Sequence, residues 1–411
     1  MTPSEERKDS SLPGLTLAGR YTLTTRIATG GMAEIYLAKQ KSLPGFEKQV
    51  VIKILQRRYR DDALVRRMFM DEAHIGAYLN HPHIVHVYDV AEHEQVPFIV
   101  MEHIDGEDLS TLCRDGFERN NFLPLEHAVE LIFQAAAGMG YFHASRDADG
   151  NPLQVVHRDI SPPNLLITKS GVLKIIDFGI ARSVLSPGDV TDKRTPGKFN
   201  YMSPEQVRGE PVDQRSDVFS LGIVLYEITV GRRLFRGAPE HVMQEIVKHG
   251  IKPPTFVRRD FPPGLEAIIM RALEKHRADR YASAYELASA LRRFSFEYRL
   301  DSGPVKIAQY LDDLRAAAGH GRRPELALVG EAWQDDGGED ALDMERDFSQ
   351  VKRAQTTQAT AVADPEPAPE PRADAPSAKS VAPAPARSRA PVFWLVGVLA
   401  AIVAAFVWVA R

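Results

Sequence analysis

Apolar and polar residues alternate at Tyr21–Ile27, Ala33–Ala38 and Gln49–Leu55, the period-two spacing that predicts β-strands, and the turn Thr29-Gly30-Gly31 joins the first two. Leu64–Asn80 changes to a helical period, and Pro97–His103 is a further apolar strand. A long helix is predicted over Leu125–Ser145, short strands around Leu165–Ile167 and Leu173–Ile176, and helices over Ser216–Val230, His241–His249, Gly264–Glu274 and Ser283–Arg292. A strand-rich first part followed by a helix-rich second part implies an α+β fold of two unequal lobes with a cleft between them.

The pattern also divides the chain. Residues 1–20 are polar and punctuated by Ser, Pro and Gly, and read as a flexible lead-in to a body at 21–294. Residues 295–322 stay helical, with Ile307, Leu311 and Leu314 at i, i+4 and i+7 on one face. From 323 to 391 the composition becomes acidic (Glu331–Asp347) and then rich in Ala and Pro. Such a stretch buries too little apolar surface to offset its chain entropy and reads as a disordered linker. Residues 392–410 carry no charge, with Trp394 and Trp408 near the two ends. As a helix they would span about 28 Å, close to the thickness of a bilayer's hydrocarbon core. The expectation is a single-pass transmembrane anchor at the cell membrane. Arg387 and Arg389 before it, against Arg411 after it, favour a cytoplasmic location for the body.

Charge and cysteine content narrow the function. With 51 Lys+Arg against 55 Asp+Glu the net charge is −4, which argues against a nucleic-acid binder relying on a broad basic surface. Cys113 is the chain's single cysteine, so neither an intramolecular disulfide nor a cysteine zinc cage can form. The opening Met1–Glu6 has no apolar run and is no secretory signal.

Four motifs then occur in order. Ile52-Lys53 ends a strand; His157-Arg158-Asp159-Ile160-Ser161-Pro162-Pro163-Asn164 follows the long helix; Asp177-Phe178-Gly179 comes next; Ser203-Pro204-Glu205 closes the series. With Ser216–Gly222 (Ser-Asp-Val-Phe-Ser-Leu-Gly), this set resembles the protein kinase family over about Tyr21–Phe294. Met202-Ser203-Pro204-Glu205-Gln206 is similar to bacterial eukaryotic-like Ser/Thr kinases in particular. The resemblance implies a two-lobed kinase fold, with a β-rich N-lobe above a helical C-lobe, that uses ATP with Mg²⁺, or Mn²⁺ in its place, and takes protein Ser/Thr hydroxyls as acceptors. Phosphoryl transfer needs positioning, cations on the phosphates and an acceptor for the hydroxyl proton. Asp159 is the candidate base, Asn164 and Asp177 the hard oxygen ligands for the metal, and Lys53 the phosphate-holding cation, braced by Glu72. Asp71 beside it would point about 100° away around the helix. The resemblance further assigns Glu102 and Ile104 to the adenine edge behind Met101, and Ile27, Ile35, Val51 and Leu166 to its faces. Asp108 is the candidate for the ribose hydroxyls. Pro162 and the absence of an Ala-Ala-Arg run favour Ser/Thr over Tyr acceptors.

Two places depart from the family pattern. The phosphate-covering G-x-G-x-x-G loop reads Ala28-Thr29-Gly30-Gly31-Met32-Ala33, with alanine at both outer glycines. Ser161 stands where Ser/Thr kinases carry Lys, and Lys198 where they carry Thr. The expectation is a reciprocal exchange, with Lys198 supplying the charge from the opposite wall and Ser161 bonding near Asp159. Arg158 suggests an activation segment that receives phosphate, the hydroxyls being Ser183, Ser186, Thr191 and Thr195. The resemblance further implies that Glu205 pairs with Arg280 and that Asp217 braces the catalytic loop; both are fold residues. The altered loop and Ser161 also keep open a membrane-tethered pseudokinase scaffold that binds nucleotide without transfer. His81, His83 and His86 lack a carboxylate at ligand spacing, and Asp147–Asn151 lacks the remaining ligands of a calcium loop, so both read as turns.

Overall fold

The alternating segments do form strands, and these run longer than the pattern alone predicts: β2 (Tyr21–Thr29), β3 (Ala33–Lys41) and β4 (Glu47–Leu55) are nine residues each. The computed structural model describes residues 12–41, 45–118, 122–178, 198–248 and 250–316. All lie in the first of two units into which the chain divides, Met1–Gly337; the second, Gly338–Arg411, lies outside the described residues.

In the N-lobe, β1 (Thr16–Leu17), β5 (Val87–His93) and β6 (Val96–Glu102) complete an antiparallel sheet of order β1-β2-β3-β4-β6-β5. Register decides which side chains share a face. Lys53 stands opposite Ile35 on one side and Ile99 on the other, while Val51 stands opposite Leu37 and Met101. Because side chains alternate along a strand, Val51 and Lys53 project from the same face as Ile35 and Met101. Helix α1 (Ala63–Tyr78) follows β4; the Asp62 carboxylate caps it by accepting from the amides of Leu64 and Val65. Phe69 and Ala73 of α1 pack into a core with Tyr21, Leu23, Tyr36, Ile52 and Phe98.

The C-lobe begins with β7 (Gly106–Asp108) and α2 (Leu109–Glu118), which carries Cys113. Its centre is α3 (Leu125–His143), apolar nearly all round as a fully enclosed helix must be. Strands β8 (Leu165–Thr168) and β9 (Leu173–Ile175) join β7 in a three-stranded antiparallel sheet. Helices α4 (Pro204–Arg208), α5 (Gln214–Val230), α6 (Pro239–Lys248), α7 (Pro254–Val257), α8 (Pro263–Ala272), α9 (Ala284–Glu297) and α10 (Pro304–Ala316) follow. Local chemistry sets their ends. Ser203 and Gln206 form a capping box on α4, with Pro204 at the first helical position. Gly231, at φ +81°, stops α5 in the left-handed conformation that favours glycine.

Two boundaries differ from the sequence expectation. Order begins before residue 21, because Thr16–Leu17 pairs with the edge of β2 and the Gly14 amide donates to the Leu23 carbonyl. Leu17, only 3% exposed, anchors that crossing. At the other end, α9 runs through residue 294 to Glu297. The helical extension contains α10, whose Ile307, Leu311 and Leu314 are all buried on the face the spacing predicts. The linker at 323–391 and the apolar stretch at 392–410 lie outside the described residues; among the described residues no helix is long and apolar enough to cross a membrane.

Candidate active site

Strand β4 delivers Lys53 into the cleft, and α1 turns Glu72 toward it. The Lys53 ammonium donates to Glu72 Oε1 at 2.6 Å and to Asp177 Oδ1 at 3.0 Å. Burial alone would lower the Lys53 pKa, but the Asp177 and Glu72 carboxylates outweigh it and hold the ammonium above its ordinary value. Asp71 points outward, with half its side chain exposed and Arg67 within 3.8 Å.

The catalytic loop crosses the cleft below this cluster. Asn164 Nδ2 donates to the Asp159 carbonyl at 2.7 Å and to Asp159 Oδ2 at 3.2 Å, so the amide and the carboxylate orient one another. The loop is fixed from beneath by Asp217, on the first turn of α5. Its two oxygens accept the amides of His157 and Arg158, each at 2.8 Å, and Oδ2 also bonds His143 Nε2 at 2.8 Å. Burial would raise the Asp217 carboxyl, yet the hydrogen bonds from His143 and from the His157 amide hold it below the usual range. Asp217 therefore braces the loop backbone, as expected. Arg158 and Asp177 both adopt positive φ, +65° and +53°. For residues other than glycine such angles cost of order 1–3 kcal/mol and survive only where surrounding contacts impose them. Phe178 supplies some of those contacts: it is buried, stacks on Phe142 at 5.4 Å and meets His157 edge-on at 6.0 Å. A Cβ on Gly76 of α1 would lie 3.6 Å from its ring, so α1 also closes on Phe178.

By register Ala28, Ile35 and Val51 share the sheet face that carries Lys53, Ala28 and Val51 buried and Ile35 half-buried, while the half-buried Ile27 lies at the irregularity between Arg26 and Ala28. Thr29, Gly30 and Gly31 are exposed at the tip between β2 and β3, Met32 is half-buried and Ala33 buried; the Gly30 amide donates to the Ala33 carbonyl at 2.8 Å. Below, Leu166 of β8 is 2% exposed, and Ile104 is buried where the chain passes between the lobes. The Glu102 carboxylate reaches Lys174 Nζ on β9 at 2.7 Å and accepts the His86 amide at 3.3 Å, which leaves backbone groups as what the hinge can offer a base. Lys174 carried no motif and was not foreseen; the pair closes across 72 residues.

Asp108 has a different task from the one expected of it. It is 4% exposed and caps α2, accepting from the Thr111 amide at 2.9 Å, from Thr111 Oγ1 at 2.7 Å and from the Ser110 hydroxyl. Asp followed by Ser and Thr at a helix start was the available signal. Ser161 also departs from expectation: its hydroxyl is buried and, among the described residues, makes no hydrogen bond, so it does not bond to Asp159. The backbone of Lys198 opens a short 3₁₀ turn, Lys198–Tyr201, while its side chain and residues 179–197, with all four candidate hydroxyls, lie outside the described residues. The Arg158 guanidinium is half-buried, and burial lowers its pKa against the opposing charge of Asp217.

Beyond the 3₁₀ turn, the Tyr201 hydroxyl donates to Glu227 Oε2 at 2.7 Å and accepts from Arg233 at 2.8 Å, pinning the turn to α5. Glu205 pairs bidentately with Arg280 at 2.6 and 2.9 Å, as the sequence suggested. His81 stacks on Tyr141 and His83 Nδ1 meets the Leu173 carbonyl, while Asp147 accepts the amides of Asp149 and Asn151 in a surface turn.

The profile of the protein kinase domain family matches residues 21–291. The chain is 38% identical over 301 residues to a tyrosine-protein kinase, MasK, of Myxococcus xanthus, covering 73% of this chain and 47% of that protein. It is 37% identical over 284 residues to the serine/threonine-protein kinase PknB of Mycolicibacterium smegmatis, covering 67% and 43%. The chain thus spans less than half the length of these relatives. Among solved structures, the Mycobacterium tuberculosis PknI kinase domain superposes with a TM-score of 0.53 at 28% identity, covering 70% of this chain and all of that one.

Proposed function

The chain belongs to the protein kinase family, and from that membership we propose that it transfers the γ-phosphate of ATP to serine and threonine hydroxyls of proteins, its own activation segment included. The observation that carries this reading is the joined set Glu72–Lys53–Asp177 above Asn164–Asp159, which holds a cation, two metal-ligand candidates and a base in one cleft. The two relatives divide between tyrosine and serine/threonine in their names. Pro162 and the lack of an Ala-Ala-Arg run support the hydroxyls of serine and threonine.

The donor set fits ATP with a divalent cation. Asn164 gives its Nδ2 to Asp159, so its Oδ1 is the atom that can face a metal, and the Asp177 carboxylate is a third exposed. Both are hard oxygens, suited to Mg²⁺ and equally to Mn²⁺. When bound, the metal nucleotide supplies the phosphoryl group and part of the charge that neutralises it. Lys53 keeps its proton and presents fixed positive charge to the phosphates. Asp159, oriented by Asn164, accepts the acceptor hydroxyl's proton at its carboxylate. Asp217 keeps both from drifting, so little reorganisation is needed as charge moves. A scaffold without transfer would have no use for the base and both ligands together.

Two further elements belong to the reading. Lys198 supplies the positive charge absent at Ser161, a role supported by the reversed residue types alone. Residues 392–410 anchor the chain in a membrane with the kinase body in the cytoplasm, and confinement there favours phosphorylation between copies.

The test is phosphate transfer by the full chain with Mg²⁺ and labelled ATP beside Asp159→Asn, with products mapped by mass spectrometry. Label on Ser/Thr that disappears in Asp159→Asn is expected; label on tyrosine alone, or none in either protein, overturns the reading. Lys198→Thr should lose activity and Ser161→Lys/Lys198→Thr regain it, whereas an active Lys198→Thr chain removes the role given to Lys198.

A further inference from the structure

Helix α10 lies beyond residues 21–291, the part that matches the kinase family, yet its two ends meet the β7–β8–β9 sheet, which carries Leu166. Its 13 residues extend about 20 Å. At one end, Gly171 in the β8–β9 turn, at φ +78°, approaches so closely that a Cβ there would overlap the Pro304 carbonyl oxygen. Just before the helix, Ser302 Oγ lies 2.8 Å from His127 Nδ1 of α3. Along its length Ile307, Tyr310, Leu311 and Leu314 enter the C-lobe core. At the other end, Arg315 Nε donates to Glu107 Oε1 at 3.1 Å, with a second contact to Asp312 at 3.4 Å.

Glu107 is the middle residue of β7, the three-residue strand into which the hinge runs. Among the described residues β7 has one sheet partner, β8, pairing Gly106 with Thr168, Glu107 with Ile167 and Asp108 with Leu166. A Cβ on Gly106 would overlap the Ile167 carbonyl oxygen, so the two strands are in close contact. Leu166 is the residue assigned to the lower face of adenine, and Ile104 lies two residues before β7. One carboxylate of β7 therefore faces inward to cap α2, and its neighbour reaches outward to α10.

We propose that α10 is a strap across the floor of the nucleotide site, and that Arg315 is a positioning residue for ATP through Glu107. The inference rests on the kinase reading above. A three-residue strand with a single strand partner has little stability of its own. Without Arg315, β7 and the hinge sample more conformations, and nucleotide binding must first reorder them, which weakens affinity without touching the groups that act in transfer. The predicted signature is a change in KM for ATP with kcat preserved.

The experiment uses the full chain and ATP, measuring KM and kcat, calorimetric Kd for a non-hydrolysable ATP analogue, and hydrogen exchange at the amides of residues 106–108. Arg315→Ala is expected to raise KM and Kd about threefold, as suits a partly exposed ion pair, and to speed exchange in β7. Arg315→Lys and the exchanged pair Glu107→Arg/Arg315→Glu should recover most of both. Arg292→Ala, which removes another C-lobe ion pair at 3.6 Å to Glu130, should leave KM and Kd unmoved. Unchanged Kd and exchange in Arg315→Ala, with a wild-type chain that binds and transfers normally, overturn the strap alone. A wild-type chain that neither binds the analogue nor transfers phosphate overturns the kinase reading and the strap with it.

Discussion

Two buried ion pairs, one in each lobe, have the same shortest contact and very different surroundings. Lys53–Glu72 links β4 to α1 at 2.6 Å, and Arg280–Glu205 links the segment before α9 to α4 at 2.6 Å. Arg280 is saturated: besides two bonds to Glu205 it donates to the carbonyls of Glu274, Lys275 and Arg215, and its guanidinium lies 4.8 Å from the Phe219 ring centre. Glu205 also accepts the Ser216 hydroxyl at 2.6 Å. Lys53 has three ammonium hydrogens and, among the described residues, two acceptors, one of them the third-exposed Asp177. A charge whose every donor is used can only hold structure. A charge with capacity left over, beside an open cleft, can still receive an anion.

The sharpest way to separate the two pairs is to remove the cation from each. Lys53→Met is expected to lower phosphate transfer about 10²–10³-fold, the usual cost of deleting one preorganised group that meets developing charge. The double variant Lys53→Met/Glu72→Gln should recover the thermal stability of the single one, by removing the carboxylate left alone, and recover none of the activity. Arg280→Met inverts that outcome. It should cost about 3–5 kcal/mol of stability in denaturant unfolding, because Glu205 stays buried without a counter-charge, while activity per folded molecule is retained below the melting point. Equal activity losses in the two variants would erase the distinction.

A smaller effect comes from pH. Burial tends to raise the Glu205 carboxyl, but the hydrogen bonds from Arg280 and Ser216 and the Arg280 charge hold it below its ordinary 4.5. Its contribution to stability is therefore complete above pH 4.5 and lost as pH falls through the lower folded value. Lys53 behaves oppositely. Its pKa is raised above 10.5, so its contribution is complete below that pH and lost only as pH rises through the still higher folded value. Melting temperature should decline on the acid side, and affinity for the ATP analogue should stay level from neutrality to about pH 10. An alkaline loss of affinity beginning near pH 8 would contradict the state assigned to Lys53.

What could be read from the sequence follows from the range over which each feature is determined. Lys53, Asp159, Asn164 and Asp177 belong to short motifs whose order and spacing are visible in the chain, and the structure brings them together. β2–β4 and the long helices were legible because their burial is periodic. β1 was not, since two residues carry no period and Thr16–Leu17 is a strand only because β2 offers an edge. β5 was missed because Val87–His93 is largely half-exposed, with only Val87 buried. Asp108 was misassigned because a short acid can bond a ribose or cap a helix, and the following Ser110 and Thr111 decide for the cap. Glu102–Lys174 and Glu107–Arg315 join residues 72 and 208 positions apart, a distance at which local pattern says nothing.

Cys113 opens a practical route to watching the lobes move. Burial, with Glu227 and Asp108 nearby, pushes its thiol up to about 12, so at neutral pH it stays protonated and is a weak nucleophile. A chain with one natural, sluggish thiol tolerates two introduced ones as the preferred points of attachment for a pair of fluorophores. Placed on exposed positions such as Lys39 of β3 and Arg292 of α9, they would report cleft opening as energy transfer, molecule by molecule, without first replacing the native cysteine.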